Sequence, residues 1–168
     1  YQSFCHYYFA FADLSPDRAG SARAARASAE RALDADGESP VAHWAYGRAL
    51  CLSHDVKGAR RHCTEAVAIC PSFPHAHYML GFLDAIHGAP EAAFAHLDRS
   101  EALSPLDPFN ASIQMCRAFA HLRLGGIDAA ANFAARTVRH RNVYSQMLYP
   151  SAAILMAAGR DDEARAAA

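Results

Sequence analysis

A stretch of this chain recurs after 34 residues, and that interval constrains the fold more than any other feature. Residues 43–63 read HWAYGRALCLSHDVKGARRHC, and residues 77–97 read HYMLGFLDAIHGAPEAAFAHL. At this offset, residues of the same kind fall on one another: His43 and His77, Trp44 and Tyr78, Gly47 and Gly81, Ala59 and Ala93, Pro71 and Pro105. A fixed interval of this length is typical of arrays in which each repeat packs on the next.

Each repeat contains two segments with helical apolar periodicity, separated by a short turn. Gly81 falls inside the first segment, where glycine costs roughly 1 kcal/mol relative to alanine. The spacing of two packed helices depends on the side chains at their contact. Gly81 and Ala93, like Gly47 and Ala59 one repeat earlier, are therefore predicted to let the two helices of a repeat approach closely.

These residues resemble the tetratricopeptide repeat (TPR), a helix–turn–helix unit of the same length. The matching positions in the two repeats are Trp44, Tyr46, Gly47, Leu50, Ala59, Cys63, Ala66 and Pro71, then Tyr78, Leu80, Gly81, Ala93, Leu97, Ser100 and Pro105. One departure is His54, which stands where the next repeat has Gly88. The resemblance implies an all-α fold, a right-handed superhelical solenoid of antiparallel helix pairs.

The pattern extends outward, so we expect one solenoid domain over residues 1–168. Its predicted repeats are approximately 1–39, 40–73, 74–107, 108–144 and a partial 145–168. Gly125 and Gly126 mark the turn of the fourth repeat, and Gly159 lies 34 residues after Gly125. The linker SPLDP, residues 104–108, adds about one helical turn before that repeat.

Composition excludes several classes of protein. The 168 residues are 52% hydrophobic and 20% charged, with a formal net charge of -1, which gives no global reason to expect nucleic acid or an anionic membrane. No apolar run approaches a membrane span. The five cysteines are never spaced as CxxC, so we expect buried thiols in a reducing, cytoplasmic compartment. The chain starts at Tyr1 inside a helical pattern without a signal peptide, which we interpret as an excised piece of a longer protein.

The sequence offers little chemistry. It contains no GxSxG, HExxH, GxxxxGK[ST] or GxGxxG, so we expect neither an enzyme nor a cofactor. His43 and His77 occupy equivalent repeat positions but lack neighbours at the spacing of a helical zinc pair, so no metal site is predicted. The basic cluster Arg136–Arg141 is typical of a helix C-terminus. Phosphate contact through it is the alternative, although nucleic acid is the less favoured partner.

The resemblance implies that the first helix of each repeat lines a concave face that binds ligands. The predicted partner-binding groove consists of Trp44, Arg48, Leu52, His75, Tyr78, Met79, Phe82 and Ile86. Such residue types are enriched at the centres of interfaces. Two interpretations remain open: a groove for an apolar or amphipathic helix or peptide, and a face covered by the parent protein or by the superhelix itself. A homodimer through the ends of the array is a further possibility.

A second resemblance concerns the parent protein. The segment LDRSEALSPLDPFN, followed by a longer helix and LRLGGIDAAANFAART, is similar to repeat arrays of bacterial class III adenylate cyclases and winged-helix transcriptional regulators. This resemblance implies a non-catalytic regulatory or scaffold module of a larger bacterial signalling protein, with a protein or peptide as its partner.

Overall fold

The computed structural model describes residues 1–12, 14–141, 143 and 145–167. These residues form α-helices and no strand, which confirms the all-α prediction. The helices are α1 Gln2–Phe11, α2 Arg18–Ala35, α3 Pro40–Leu52, α4 Val56–Ile69, α5 Pro74–Ile86, α6 Pro90–Leu103, α7 Asn110–Arg123, α8 Ile127–Val138, α9 Ser145–Ala157 and α10 Asp161–Ala167. Tyr144 and Ala168, the last residues of the fourth and fifth predicted repeats, lie outside the described residues.

Polar caps begin several helices. Asp17 accepts a hydrogen bond from the amide of Gly20 at 2.7 Å, and Asp55 accepts one from Gly58 at 2.9 Å. Ser39 caps α3 in the same way, and Pro40 follows it in the first turn, where no amide donor is required. These signals fix where α2, α3 and α4 start.

A residue in the left-handed conformation follows each of the helices α3, α7 and α9. Gly125 and Gly159 have φ of 79° and 71°, a conformation that glycine adopts without steric cost. His54 has φ of 59° at the end of α3. His54 therefore adopts the left-handed conformation that Gly125 and Gly159 adopt, with the strain of a side chain there.

The described chain divides into two compact units, Tyr1–Leu80 and Gly81–Ala168. In unit 1, α1 packs on α2 and α3 packs on α4, while α3 also contacts α1 and α2. Short connections make consecutive helices antiparallel. Gly47 forms the close contact between α3 and α4, because a Cβ on it would lie 2.8 Å from Sγ of Cys63 and 3.1 Å from the carbonyl oxygen of Ala59.

Unit 2 repeats this arrangement, with α6 against α7, α7 against α8, α8 against α9 and α9 against α10. Its core contains the alanines of α8 together with apolar residues of α7, α9 and α10: Met115, Ala118, Ala130, Ala131, Ala134, Ala135, Ile154, Leu155 and Ala164. A Cβ on Gly81 would lie 2.6 Å from Cδ2 of Leu97, so the end of α5 approaches α6 closely here as well.

Helix α7 has no exposed side over its first nine residues. Every residue from Asn110 to Ala118 is buried, polar ones included. Arg117 forms ion pairs with Asp98 at 2.6 Å and with Glu101 at 2.8 Å, both on α6. Arg117 therefore links α7 to α6, and its charge is tolerated at a buried position because it is paired.

Arg123, at the end of α7, ties this helix to the end of α5. Its Nη1 donates to the carbonyl oxygens of Asp84 at 3.0 Å and Ala85 at 3.1 Å, and its Nη2 donates to that of Gly88 at 3.0 Å. A cation at a helix C-terminus satisfies carbonyls that have no partner within the helix.

Among the described helices, none combines the length and the apolar character required to cross a bilayer.

Candidate functional site

The residues of the predicted groove fall in both units and differ in exposure. Unit 1 holds Trp44, Arg48, Leu52, His75, Tyr78 and Met79, and unit 2 holds Phe82 and Ile86. Trp44, Arg48 and Met79 are buried, at 7%, 5% and 2% exposure. The other five are half-buried. The accessible surface of these eight side chains therefore comes mainly from the half-buried ones.

Arg48 is buried because aromatic rings from two helices surround it. Its guanidinium carbon lies 3.7 Å from the ring centre of Tyr7, 4.7 Å from that of Trp44 and 4.9 Å from that of Phe4. The attraction between a cation and a ring face strengthens when water is excluded. Burial raises the pKa of Tyr7, and the nearby positive charge of Arg48 opposes that rise. Arg48 thus fixes the orientation of these rings in unit 1.

Further rings continue this cluster. Trp44 lies 6.3 Å from Phe4, 5.9 Å from Phe73 and 5.1 Å from His75, measured between ring centres. Tyr7 stacks on Phe11 at 5.6 Å. We call this set the aromatic row, which consists of Phe4, Tyr7, Phe11, Trp44, Phe73 and His75. Its outer members Phe4 and Phe11 are 41% and 40% exposed.

The α1 half of the aromatic row was missed by the sequence analysis, which assigned groove positions only within residues 40–107. A usable signal was present, because Phe4, Tyr7 and Phe11 follow one another at spacings of three and four residues in YQSFCHYYFAF. Side chains at those spacings lie on one face of a helix. This face of α1 lies against α3 and presents its rings beside Trp44.

The predicted repeat-packing residues have different environments. Ala59 and Ala93 are fully buried beside Gly47 and Gly81. Pro71 and Pro105 are exposed in the linkers, where their carbonyl oxygens accept hydrogen bonds from the following helix: Pro71 from Nε2 of His77 at 3.0 Å, and Pro105 from Nδ2 of Asn110 at 2.6 Å.

The described residues contain no candidate metal-binding cluster, and their buried cysteines are poorly suited to nucleophilic catalysis. Within them, no group of three or more histidine, cysteine, aspartate or glutamate side chains could hold a metal ion. Burial raises the pKa of Cys51 to about 11, and those of Cys63 and Cys116 to about 12. Because the thiolate is the reactive form, these thiols are poor nucleophiles near neutral pH.

The basic cluster Arg136–Arg141 is divided among different contacts. Arg139 forms an ion pair with Glu163 at 2.9 Å. The guanidinium of Arg136 lies 5.0 Å from the ring centre of Phe133. Arg136, Arg139 and Arg141 are all exposed, so these contacts leave the arginines of the cluster at the surface.

Comparison with known proteins identifies the fold. No protein-family model matches the chain, and no curated protein sequence matches it. The chain is similar to the solved structure of PilW, a widely conserved type IV pilus biogenesis factor, at 19% identity with a TM-score of 0.75, over 98% of this chain and 74% of PilW.

Two further solved structures extend the comparison. TTC0263, a thermophilic TPR protein of Thermus thermophilus, is 21% identical with a TM-score of 0.73, over 98% of this chain and 87% of TTC0263. A chain of the APC/C hetero-tetramer Cut9–Hcn1 is 16% identical with a TM-score of 0.69, over 83% of this chain and 26% of that one. The predicted TPR-like fold is confirmed by these structures.

Proposed function

We propose that this chain is a non-catalytic protein–protein interaction module that binds an apolar or amphipathic peptide or helix. The aromatic row carries the proposal, because Arg48 and the neighbouring rings hold Phe4 and Phe11 in place before any partner arrives. Aromatic side chains that are already ordered lose little entropy on binding and often dominate the energetics of an interface. The half-buried Leu52 and His75 would complete the contact surface in unit 1.

The fold is compatible with such a role. The similar chain from the Cut9–Hcn1 complex is part of a hetero-tetramer, and PilW is a pilus biogenesis factor. By analogy, we propose that this chain also acts in the assembly or regulation of a larger structure. The partner that this analogy supports is a protein.

Trp44 provides a direct assay, because it is the only tryptophan in the chain and lies within the aromatic row. Peptides selected from a display library on the purified protein are titrated while Trp44 fluorescence is recorded. We expect the selected peptides to carry apolar residues at helical spacing and to shift the emission. Phe4→Ala and Phe11→Ala should each weaken binding about tenfold or more, as loss of a central aromatic anchor does.

Phe9→Ala is the matched control. Phe9 lies on the same helix and is 46% exposed, but its position in the sequence places it on the side of α1 opposite Phe4 and Phe11. It should leave peptide affinity unchanged. Equal loss of affinity in all three variants, or selected peptides without apolar periodicity, would refute the proposed surface.

Self-association is a second candidate function, favoured by the exposure of Phe9 itself. Phe9 is 46% exposed on the side of α1 opposite the aromatic row, where it offers an apolar contact to a second copy of the chain. Light scattering at increasing concentration should then detect a dimer in the unmodified chain and a monomer in Phe9→Ala. A monomer in both cases would exclude this candidate.

We also propose, from the similarity around residues 97–137, that the module belongs to a larger cytoplasmic bacterial signalling protein. A reading frame that continues into a nucleotide cyclase or a winged-helix domain would support this, and a frame that encodes neither would refute it.

A further inference from the structure

Two histidines form a hydrogen-bonded chain between α3 and α4. Nδ1 of His43 and Nδ1 of His62 lie 3.0 Å apart. The other ring nitrogen of His43, Nε2, lies 2.9 Å from the carbonyl oxygen of Gly37 in the linker before α3. The other nitrogen of His62, Nε2, lies 3.2 Å from Nη2 of Arg61. Four contacting groups thus follow one another from Arg61 to Gly37.

The two ends of this chain determine where the protons lie. A guanidinium can only donate, so Nε2 of His62 must accept from Arg61 and carry no proton. The proton of neutral His62 is then on Nδ1 and is donated to Nδ1 of His43. The proton of neutral His43 is therefore on Nε2 and is donated to the carbonyl of Gly37. With both rings neutral, this is the one arrangement in which every contact is a hydrogen bond.

An added proton breaks the chain. If His43 carries two protons, Nδ1 of His62 must accept, and the proton on Nε2 of His62 then faces the donor Arg61. If both rings are protonated, two N–H groups face each other across 3.0 Å. Each state replaces at least one hydrogen bond with a contact between donors. The cost is largest when both rings are protonated, because the His43–His62 contact is partly buried, whereas the Arg61–His62 contact is exposed and water can replace it.

Burial and the charged groups around His62 together favour its neutral form. Burial lowers the pKa of His62, and the nearby Arg61 and His43 lower it further, while Glu65 and Asp55 partly oppose this. From α3, the ring of Tyr46 lies 4.6 Å from that of His62 in an edge contact.

Helix α2 joins the same network through Tyr46. The hydroxyl of Tyr46 donates to Oε1 of Glu30 at 2.8 Å and accepts from Nη2 of Arg26 at 3.3 Å. Glu30 and Arg26 also pair with each other at 3.0 Å. The linker before α3 and three helices of unit 1 therefore meet around the two imidazoles.

We propose that the His43–His62 pair is an acid-sensitive connection within unit 1, closed while both imidazoles are neutral and released when they are protonated. Both histidines recur 34 positions later, as His77 and His96. Nε2 of His77 also donates to a linker carbonyl, that of Pro71, as Nε2 of His43 does to Gly37. His43 and His77 therefore occupy equivalent positions and make the same hydrogen bond to the linker that precedes their helix.

The sign of the pH effect follows from proton linkage. The pKa of His62 is lower in the folded chain than the ordinary 6.5. Between these two values the unfolded chain binds more protons, so stability falls as the pH drops below 6.5 and continues to fall down to the folded pKa. The unfolding equilibrium constant should rise by up to about tenfold per pH unit for each additional proton that the unfolded state binds.

The test compares urea unfolding at about pH 7.5 and about pH 5.5 for three proteins. These are the unmodified chain, the double variant His43→Gln/His62→Gln, and His87→Gln, which removes an exposed histidine elsewhere. We expect the acid-induced loss of stability to shrink in the double variant and to persist in His87→Gln. Equal pH dependence in all three would overturn the proposal.

A second measurement does not depend on whether the double variant folds. Nitrogen chemical shifts of the imidazole rings in the unmodified chain report which nitrogen carries the proton. Near neutral pH we expect a proton on Nδ1 of His62 and on Nε2 of His43, with loss of this pattern on acidification. A proton on Nε2 of His62 near neutral pH would overturn the proposal.

Discussion

Gly81→Ala tests the close approach of α5 and α6, because one neighbouring side chain determines the sign of its effect. The added Cβ would lie 2.6 Å from Cδ2 and 2.7 Å from Cγ of Leu97. Leu97 is fully buried, so it has little space into which it can move. The substitution therefore crowds the contact while it improves helix propensity.

The two effects can be compared in magnitude. Overpacking of a buried contact typically costs about 1–3 kcal/mol, whereas replacing glycine by alanine in a helix gains about 1 kcal/mol. We expect Gly81→Ala to lower the free energy of unfolding by up to about 2 kcal/mol. In a Leu97→Ala background the two nearest obstructing atoms are absent and only the carbonyl oxygen of Ala93 stays close, at 3.3 Å. The same substitution should therefore lose its destabilising effect there and raise the free energy of unfolding by up to about 1 kcal/mol.

The assay is a double-mutant cycle measured by urea unfolding and circular dichroism. Leu97→Ala alone should cost about 2–5 kcal/mol, as expected for a large buried side chain. Gly37→Ala is a control, because its Cβ would meet no atom closer than 3.8 Å. If Gly81→Ala stabilises the unmodified chain, or changes stability equally in both backgrounds, then close helix packing does not explain this glycine.

Three further predictions concern single contacts. Arg123→Ala should lower the free energy of unfolding by about 1–2 kcal/mol, because three carbonyl oxygens at the end of α5 lose their donor; an unchanged urea midpoint would contradict this. Asp55→Ala should cost about 1 kcal/mol and Asp55→Ser much less, because serine also caps a helix; equal losses would rule out capping. At about pH 8 a thiol reagent should modify the exposed Cys5 in the folded chain, whereas Cys51 and Cys63, with pKa values of about 11 and about 12, should react only on unfolding; mass spectrometry that finds them modified in the folded chain would contradict this.

The sequence predicted the helices of the central repeats well because several local signals agree there. Two of the predicted repeats begin at Pro40 and Pro74, which are the first residues of α3 and α5. The sequence predicts Gly81 as a contact residue, and a Cβ on it would lie 2.6 Å from Cδ2 of Leu97. Turn, cap and contact signals all arise from residues close in sequence or separated by one repeat, so a single sequence contains them.

The burial of Trp44 and Arg48 could not be predicted in the same way. Counting positions in the repeat gives the side of α3 on which they lie but not what covers that side. Two of the covering rings, Phe4 and Tyr7, belong to α1. The connection from α1 to α2 is longer than that between α3 and α4, so the 34-residue alignment does not extend to α1. Phe4 and Tyr7 were therefore never aligned with the groove positions.

The pairing of His43 with His62 was missed for a related reason. A helical metal pair is recognisable from a spacing of three or four residues within one helix, whereas these rings meet across two helices and are 19 residues apart. Their recurrence as His77 and His96 was visible in the sequence, and only the contact gives that recurrence a chemical meaning.

The complete burial of α7 from Asn110 to Ala118 has a consequence for how this protein can diverge. A helix with a solvent-exposed face tolerates substitutions on that face with little effect on folding, but this segment has no exposed face. Substitutions in it must preserve volume and hydrogen bonding together. Sequences related to this chain should therefore vary more at exposed positions of the neighbouring helices than at these nine positions of α7.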